Sequence, residues 1–550
     1  MSKMTPWRRL INLLKLERKD IYKILLYAVF AGLVGLSLPL GVQATINLVV
    51  GGQFNASIII LISLVLIGVI FQGLLRYMQL RIAEDLQQRI YTRASFEFIY
   101  RFPRIQSQAL DGYYPPELAN RFFDTMIIQK GLPKILIDFS ASILQIIFGL
   151  ILLSFYHPFF ILFGFILVIL LYVVFKFSVP IGIETSLKES DCKYRNAHWI
   201  EEVARSFESF KISDSFSLSS KKNDKLVLNY LNAREKHFAI LKLQFIKMIG
   251  FKTIVTAGLL IIGGLLVINQ QMNIGQFVAA EIVILLMINS VEKLILGLDN
   301  VYDVLTSIEK IGKITDMPLE DKVTNKPLDK EQDFNIELLN INLEYKWSNK
   351  KVLTDINLDI LPKSHILLTG ESGSGKTTLL KIIAGLIPQS DGQLFVNDIN
   401  TKNINNDHYR SFIGYVFPNN LPFDGSIIEN ITFNNPKISN KKISEVCDVL
   451  GLSPFIKAQP KGLQSNISTD GKQLSYTIGK KIILARALVS EPKLLVLKDP
   501  LDEFDIKEIN RITKYLFDPK QPWTILVASR NAVWKDYCDR VIHLENGKIR

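Results

Sequence analysis

Cysteine is scarce in this chain. Three residues in 550 (Cys192, Cys447 and Cys538) lie far apart, with no CxxC pair, which excludes a disulfide framework and a cysteine-rich zinc module. Charge is thin as well. Asp, Glu, Lys and Arg make up 21% of the residues, below the ~25% usual for soluble domains, while hydrophobic residues reach 48% and mean hydropathy is +0.22. That balance excludes intrinsic disorder and a purely soluble enzyme. The length allows several domains at roughly 150 residues each. The net charge of +12 suits either nucleic acid or a membrane surface, and position along the chain decides between them.

The apolar residues gather in six runs within the first 300 positions. They are Ile21 to Val50, Ser57 to Leu75, two passes within Ile135 to Phe177 parted at Tyr156-His157-Pro158, Ile249 to Ile268, and Phe277 to Leu296. Each is long enough to cross a bilayer core of ~30 Å as a helix of about 20 residues. The segments Val50–Ala56, Phe155–Pro158 and Asn269–Gly275 carry no Lys or Arg. The opposite loops are rich in both, including Arg76, Arg81, Arg89, Arg93, Arg101, Arg104 and Arg121 in the first. The basic loops and both termini are therefore expected in the cytoplasm. Topology thus accounts for much of the positive charge, and nucleic acid is not expected as a partner. No cleavable signal peptide is expected, because the first apolar run is too long and lacks a small-residue cleavage site.

The predicted organisation starts with an interfacial amphipathic helix over residues 1–20, around Trp7 to Leu14. A six-span all-α membrane domain over 21–312 comes next, its helices continuing into long cytoplasmic loops. Mixed charges with Pro318 and Pro327 predict a linker over 313–333. From 334 to 550 short β-rich runs alternate with helical ones, the pattern of an α/β domain. Within it His365-Ile366-Leu367-Leu368-Thr369 reads as a buried strand. It leads into Gly370-Glu371-Ser372-Gly373-Ser374-Gly375-Lys376-Thr377-Thr378 and then a helical stretch. This is GxxxxGK[ST] in a strand–loop–helix setting. The glycines let backbone N–H groups wrap phosphates, and the helix N-terminus adds a favourable field. Lys376 is expected to reach the terminal phosphates of ATP and Thr377 to present its hydroxyl to Mg²⁺.

Six spans, long cytoplasmic loops, a charged linker and a P-loop NTPase domain together resemble an ABC exporter half-transporter over nearly the whole chain. Phrases such as Pro39-Leu40-Gly41-Val42-Gln43 and Gly275-Gln276-Phe277 are most similar to the type I secretion and peptide-exporting branch. A cysteine-protease domain before the first span, and with it leader-peptide cleavage, is not expected. The resemblance implies that Tyr345 stacks on adenine and that Glu117 to Phe122 form a coupling helix docking on the nucleotide domain. It also implies a location in the cytoplasmic (inner) membrane, a homodimer or a heterodimer with another half-transporter, and a membrane-fusion adaptor as a further partner.

The catalytic motifs depart from the family pattern. Pro418, after Phe417, occupies the Q-loop glutamine position and has no side-chain oxygen for Mg²⁺ or water. The signature Leu-Ser-Gly-Gly-Gln reads Leu474-Ser475-Tyr476-Thr477-Ile478, in a register set by Leu484-Ala485-Arg486-Ala487-Leu488. The Walker B strand Leu494-Leu495-Val496-Leu497 ends in Lys498-Asp499-Pro500, so a lysine replaces the Mg²⁺-linked aspartate and Asp499 replaces the catalytic glutamate. Ser529 stands at the switch histidine. Asp505 keeps the D-loop position, and the family's usual C-terminal helix is not expected after Leu544 to Ile549. Phosphoryl transfer depends on positioning and charge stabilisation. Losing several such groups is expected to cost roughly 10³-fold or more, by analogy with single-group removals of about 10²–10³. Asp499 is the remaining candidate catalytic carboxylate.

Two functions compete on this pattern. One is an ATP-binding exporter half moving a peptide, protein or lipid-like substrate outward, with its own hydrolytic site impaired. The other is a non-hydrolysing, ATP-gated scaffold or regulatory subunit of a secretion complex. Glu281, inside the last span, is a candidate for substrate contact or a carboxylate at a watery outer mouth. Glu292 and Lys293 read as snorkelling or mutually paired, and Gln43 and Gln145 as helix–helix hydrogen-bond partners.

Overall fold

The computed structural model describes residues 4–52, 56–213, 216–321, 323–329, 331–345, 350–468 and 474–550. The chain forms two compact units, Met1–Pro103 with Tyr113–Met317, and Arg104–Gly112 with Pro318–Arg550.

The first unit is built of helices among the described residues. Among the described residues, six helical stretches are long and apolar enough to cross a membrane: Arg18–Val50, Ala56–Arg104, Pro115–Ser154, Phe159–Arg205, Ser217–Ile268 and Ile274–Thr315. Every apolar run sits inside one of them, and most stretches extend well beyond their run. The first stretch is two helices, Arg18–Gly35 and Ser37–Val50. Pro39 explains the break, since it has no N–H to give to the carbonyl four residues back. Ile59, Ile60 and Ile70 on the second stretch are exposed. An outward apolar face of this kind suits lipid, not a packed neighbour. In the last stretch Val283, Ile284, Met287, Val291 and Leu294 are buried in one cluster with Leu153, Leu167 and Leu259. Its apolar sequence window is 50% buried, against 11% for the second stretch, so the last stretch forms the middle of the unit.

A short helix, Pro6–Leu16, precedes the first stretch and starts on a Thr5 cap. Arg9 ties it down. Its guanidinium gives two parallel bonds to Asp316, at 2.7 and 2.6 Å, and Nε donates to Glu309 at 3.2 Å. Such a fork matches a carboxylate in geometry as well as charge. Gln43 accepts a 2.6 Å bond from the Tyr156 hydroxyl, a link between helices.

The segment that resembles a coupling helix is helical and part of the first unit. Glu117 to Phe122 belong to the first unit, in the helix Pro115–Asn120 and the turn after it, with Leu118 fully buried. The segment built into the second unit is upstream, Arg104–Gly112. There Gln106 N donates to Pro318 O at 3.0 Å, Glu320 N donates to Arg104 O at 2.8 Å, and the Ser107 hydroxyl donates to Leu386 O. Pro115 and Pro116 favoured the start of a helix at this point, but its apolar residue Leu118 faces inward. The polar Gln106 and Ser107 instead meet open carbonyls of the second unit and become part of it.

In the stretch read as a linker, the last helix runs on to Thr315, and the residues after Met317 are built onto the second unit. Glu320 takes a bidentate pair from Arg410 at 2.9 and 2.6 Å, and Leu328 is buried.

Among the described residues, the second unit has twelve strands in three sheets. They are β1 (Ile336–Tyr345), β2 (Lys350–Ile360), β3 (His365–Thr369), β4 (Asp391–Val396), β5 (Ile399–Asn400), β6 (Ile413–Val416), β7 (Gly425–Ser426), β8 (Asn466–Ile467), β9 (Leu494–Lys498), β10 (Thr524–Ala528), β11 (Arg540–Glu545) and β12 (Lys548–Ile549). An antiparallel sheet runs β2-β1-β4-β5, β7 pairs with β8, and the main sheet runs β12-β11-β3-β10-β9-β6. All pairings from β11 across to β6 are parallel. Strands buried on both faces need apolar residues at every position, as in Leu494 to Leu497. Alternation then divides them: Leu368, Leu494, Val496 and Leu526 join one core, while Leu367, Leu495, Leu497, Ile525 and Val527 join the core on the opposite face.

Candidate functional site

Sheet register builds the site. In the parallel pairings Ala528 of β10 lies opposite Leu368 of β3 on one side and Lys498 of β9 on the other. The three strands therefore end side by side, and the segments leaving their ends meet at one crevice. From β3 comes the Gly370–Thr378 loop, from β9 Lys498-Asp499, and from β10 Ser529-Arg530. Open parallel sheets place their ligand sites at such carboxyl ends.

The loop geometry requires its glycines. Gly370, Gly373 and Gly375 have φ of +138°, +85° and +102°, the region where side chains are strained. A Cβ on Gly370 would stand 2.1 Å from Leu544 O, so the loop also passes too close to β11 for any other residue. Gly375 leads into the helix Lys376–Ile383. Lys376 folds back over the loop, its Nζ donating to Gly370 O at 2.7 Å, Glu371 O at 2.6 Å and Ser374 Oγ at 3.1 Å. Ser374 and Thr378 are buried, Thr377 is half-buried, and Ser372 is exposed, accepting a 2.9 Å bond from Arg530.

A cavity of about 580 Å³ lies over the loop. Gly370, Ser372, Gly373, Gly375, Lys376, Thr377 and Thr378 line it together with Lys498, Asp499, Ser529, Arg530 and Lys535. Burial pushes the Lys376 ammonium below its ordinary value, and the neighbouring charges of Lys498 and Arg530 add to the effect, with Asp499 opposing. Cations crowded in this way are stabilised by an incoming anion. The loop, its lysine, the three further cations and the helix start make a polyphosphate cradle.

Lys498 Nζ donates to Asp499 Oδ2 at 2.8 Å, with both side chains about a fifth exposed. Asp499 is held in a left-handed turn, φ +45°, its N–H bonded to Ala528 O at 2.9 Å. Beside this lies a second cavity of about 340 Å³, bounded by Thr377, Phe417, Pro418, Asn420 and again Lys498. Mg²⁺ demands several oxygen ligands in near-octahedral geometry. Thr377 supplies one hydroxyl, Pro418 supplies nothing, Lys498 is a cation, and the Asp499 carboxylate already holds that cation. The residues present do not fit Mg²⁺.

The remaining candidate residues lie outside the cavity. Tyr345 is half-buried at the end of β1, packed against the core, and the loop after it (346–349) falls outside the described residues. Glu371 is exposed and contributes its carbonyl. Ser475 is occupied as the cap of the helix Tyr476–Val489, its Oγ accepting from Ile478 N at 3.3 Å. Tyr476 is exposed with Lys480 Nζ 4.8 Å from its ring centre, and Thr477 is half-buried. Asp505 is exposed at the start of the helix Ile506–Leu516 and makes no side-chain cap bond. Sequence reasoning gave no role to Arg530, Lys535 or Lys480. Lys480, buried in the signature helix, donates to Asp499 O at 3.2 Å. A basic residue two positions past the end of the β10 strand was the available signal for Arg530.

In the first unit a cavity of about 840 Å³ is lined by Gln72, Arg76, Lys134, Asp138, Glu292 and Lys293 among others. Glu292 pairs with Lys252 at 3.7 Å, not with Lys293. Gln145 also lines this cavity, and Glu281 is half-buried away from it.

The family models agree with this geometry. Residues 353–502 match "ABC transporter" and residues 21–291 match "ABC transporter transmembrane region". The chain belongs to the ABC transporter family. Among its relatives, the Multidrug resistance-like ATP-binding protein MdlB of Buchnera aphidicola is 30% identical over 241 residues, 44% of this chain and 41% of that protein. The Leukotoxin export ATP-binding protein LtxB of Aggregatibacter actinomycetemcomitans is 28% identical over 288 residues, 52% of this chain and 41% of that protein. The Alpha-hemolysin translocation ATP-binding protein HlyB of Escherichia coli O157:H7 is 28% identical over 287 residues, 52% and 40% of the two chains. The matches thus span about two-fifths of each relative's length. A bacterial Atm1-family ABC exporter solved with ATP bound has the same fold, with a TM-score of 0.84 at 15% identity over 97% of this chain and 94% of that one. This ABC transporter is therefore a multi-pass membrane protein with six apolar helical spans and an ATP-binding domain.

Proposed function

We propose that this chain is the ATP-binding half of an exporter in the cytoplasmic membrane, moving a polar peptide or protein outward, with a nucleotide site that binds but hydrolyses poorly. One observation carries the reading: a complete phosphate loop faces a Walker B terminus whose lysine is clamped to the adjacent carboxylate. The loop supplies binding. Lys498 stands in place of the metal-linked acid, and the clamp engages the remaining carboxylate. Among the described residues lining the cavity, Asp499 is the sole carboxylate in position to polarise water, and it is engaged.

A lining of both charge signs in the 840 Å³ cavity favours peptide or protein cargo over a lipid-like one. Tyr345 stacks on the adenine. The nucleotide domain lies in the cytoplasm, and the functional unit is a homodimer or a heterodimer with another half-transporter, working with a membrane-fusion adaptor. A second reading rests on the same clamp: a scaffold in a secretion complex that ATP closes without turnover.

Photolabelling of the full-length protein in membranes with an azido-ATP tests the binding claim. Labelling should fall sharply in Lys376→Ala. Equal labelling of the two proteins refutes the reading. Cross-linking in the same membranes should give a dimer mass, with itself or with a co-purifying half-transporter; a monomer at every concentration contradicts the proposed assembly.

A further inference from the structure

We infer that this site takes its nucleotide as the metal-free triphosphate, with the Lys498 ammonium standing where the family holds a divalent cation. The inference rests on the ATP-binding reading and adds to it the cation requirement of the site.

The placement of Lys498 carries the argument. It lines both the cavity over the phosphate loop and the adjoining one bounded by Thr377 and Pro418. Its head group therefore works between the Thr377 hydroxyl and the Q-loop position, the space a metal would use. A divalent cation entering there would meet an ammonium and find one neutral hydroxyl as protein ligand. Like charge at that range repels strongly in a partly buried site. The charge balance points the same way. Among the described residues, Lys376, Lys498, Arg530 and Lys535 line the cavity against Asp499 as its one carboxylate, so the protein already supplies the positive charge that a triphosphate needs.

A rearrangement of ion pairs completes the picture. The Lys498 side chain is a flexible stem with rotatable donors, and behaves as a mobile point charge. Its bond to Asp499 Oδ2 is an exchangeable contact within the protein. When phosphate oxygens arrive, Nζ can turn from the carboxylate to them, and Lys376 can leave its carbonyl ligands at Gly370 and Glu371 for the same purpose. The Asp499 main chain stays anchored by its N–H bond to Ala528 O, so its carboxylate remains on the same cavity wall. No covalent bond is made or broken in this step.

Equilibrium binding of a fluorescent ATP analogue to the full-length protein in nanodiscs tests this, in excess EDTA and in excess Mg²⁺. The expected result is the same dissociation constant in both, within about threefold. Lys498→Met should weaken binding in EDTA by about tenfold or more, the scale of one lost charge-assisted contact. Lys498→Asp should make binding depend on Mg²⁺. Wild-type binding that vanishes in EDTA and returns with Mg²⁺ overturns the inference while leaving the ATP-binding reading intact. No binding in either condition overturns that reading as well. The EDTA comparison uses the unmodified protein, so it decides the question even where a variant folds poorly.

Discussion

The purified, full-length protein should release phosphate from MgATP at a rate at least about 10³-fold below a working enzyme of its kind. The perturbation is already in the sequence, and the structure sets its size. Ordinary turnover is about 10 s⁻¹, and removal of one stabilising group costs about 10²–10³. The Lys498 Nζ lies 2.8 Å from Asp499 Oδ2, so the surviving carboxylate is already neutralised by a cation. Ser529 Oγ accepts from Asn531 N at 3.2 Å, and the residue has no imidazole to offer. Pro418 brings no side-chain oxygen to the cavity it shares with Thr377. Groups that act as a unit are not additive, so the product of three such losses overstates the effect, and about 10³ is the floor. The expected rate is then roughly 0.01 s⁻¹ or less. Phosphate release in nanodiscs, with Lys376→Ala as the blank, measures it. Lys498→Ala should free Asp499 without restoring turnover, because the glutamine and the histidine stay absent. A combined reversion at 418, 498, 499 and 529 with the signature glycines rebuilt should raise the rate. Robust wild-type hydrolysis that disappears in Asp499→Asn refutes the reasoning, for it would make Asp499 the working base and Lys498 its electrostatic helper.

Gly370→Ala should destabilise the nucleotide domain by about 2–4 kcal/mol, since its Cβ meets Leu544 O at 2.1 Å and its φ is +138°. Gly373→Ala, with φ +85° and open space around it, should cost only about 1–2 kcal/mol; equal shifts in denaturant midpoint for the two would contradict the close-approach argument. Burial holds the His365 imidazole below its ordinary 6.5, with Asp539 partly opposing. A depressed histidine favours the folded state fully above the unfolded value, and that contribution is lost as pH falls below about 6.5 towards the folded value. The thermal midpoint of the nucleotide domain should therefore drop on acidification through that window, and His365→Gln should flatten the drop; an unchanged slope in the variant would assign the acid sensitivity elsewhere.

Local pattern alone carried much of this protein. Runs of about 20 apolar residues have few uses except to cross a bilayer, so the six spans were legible without any partner contact. The phosphate loop was legible because its chemistry is contiguous, with strand, glycines, lysine and hydroxyl within fifteen positions. The departures at Pro418, Lys498 and Ser529 were legible by register against flanking residues that do match. What they do together was not. Residues 376, 498 and 530 are far apart in the chain, and only the side-by-side ends of β3, β9 and β10 bring them to one crevice, with residue 418 reaching the adjoining cavity from β6 beside β9. That pairing order depends on long-range burial of Leu494 to Leu497 on both faces, which no local window contains. The surroundings of Glu117 to Phe122 were not legible for a similar reason. The family resemblance points to a helix near 117, but which side of it is buried depends on what packs there. Leu118 turned inward, and the hydrogen bonds of Gln106 and Ser107 to Pro318 and Leu386 made the upstream turn part of the second unit. The lysine–aspartate clamp belongs to the same class. Two adjacent letters do not say whether their side chains meet, because neighbours on a strand point to opposite faces. Here the left-handed turn at Asp499 ends the strand and swings its carboxylate back to Lys498.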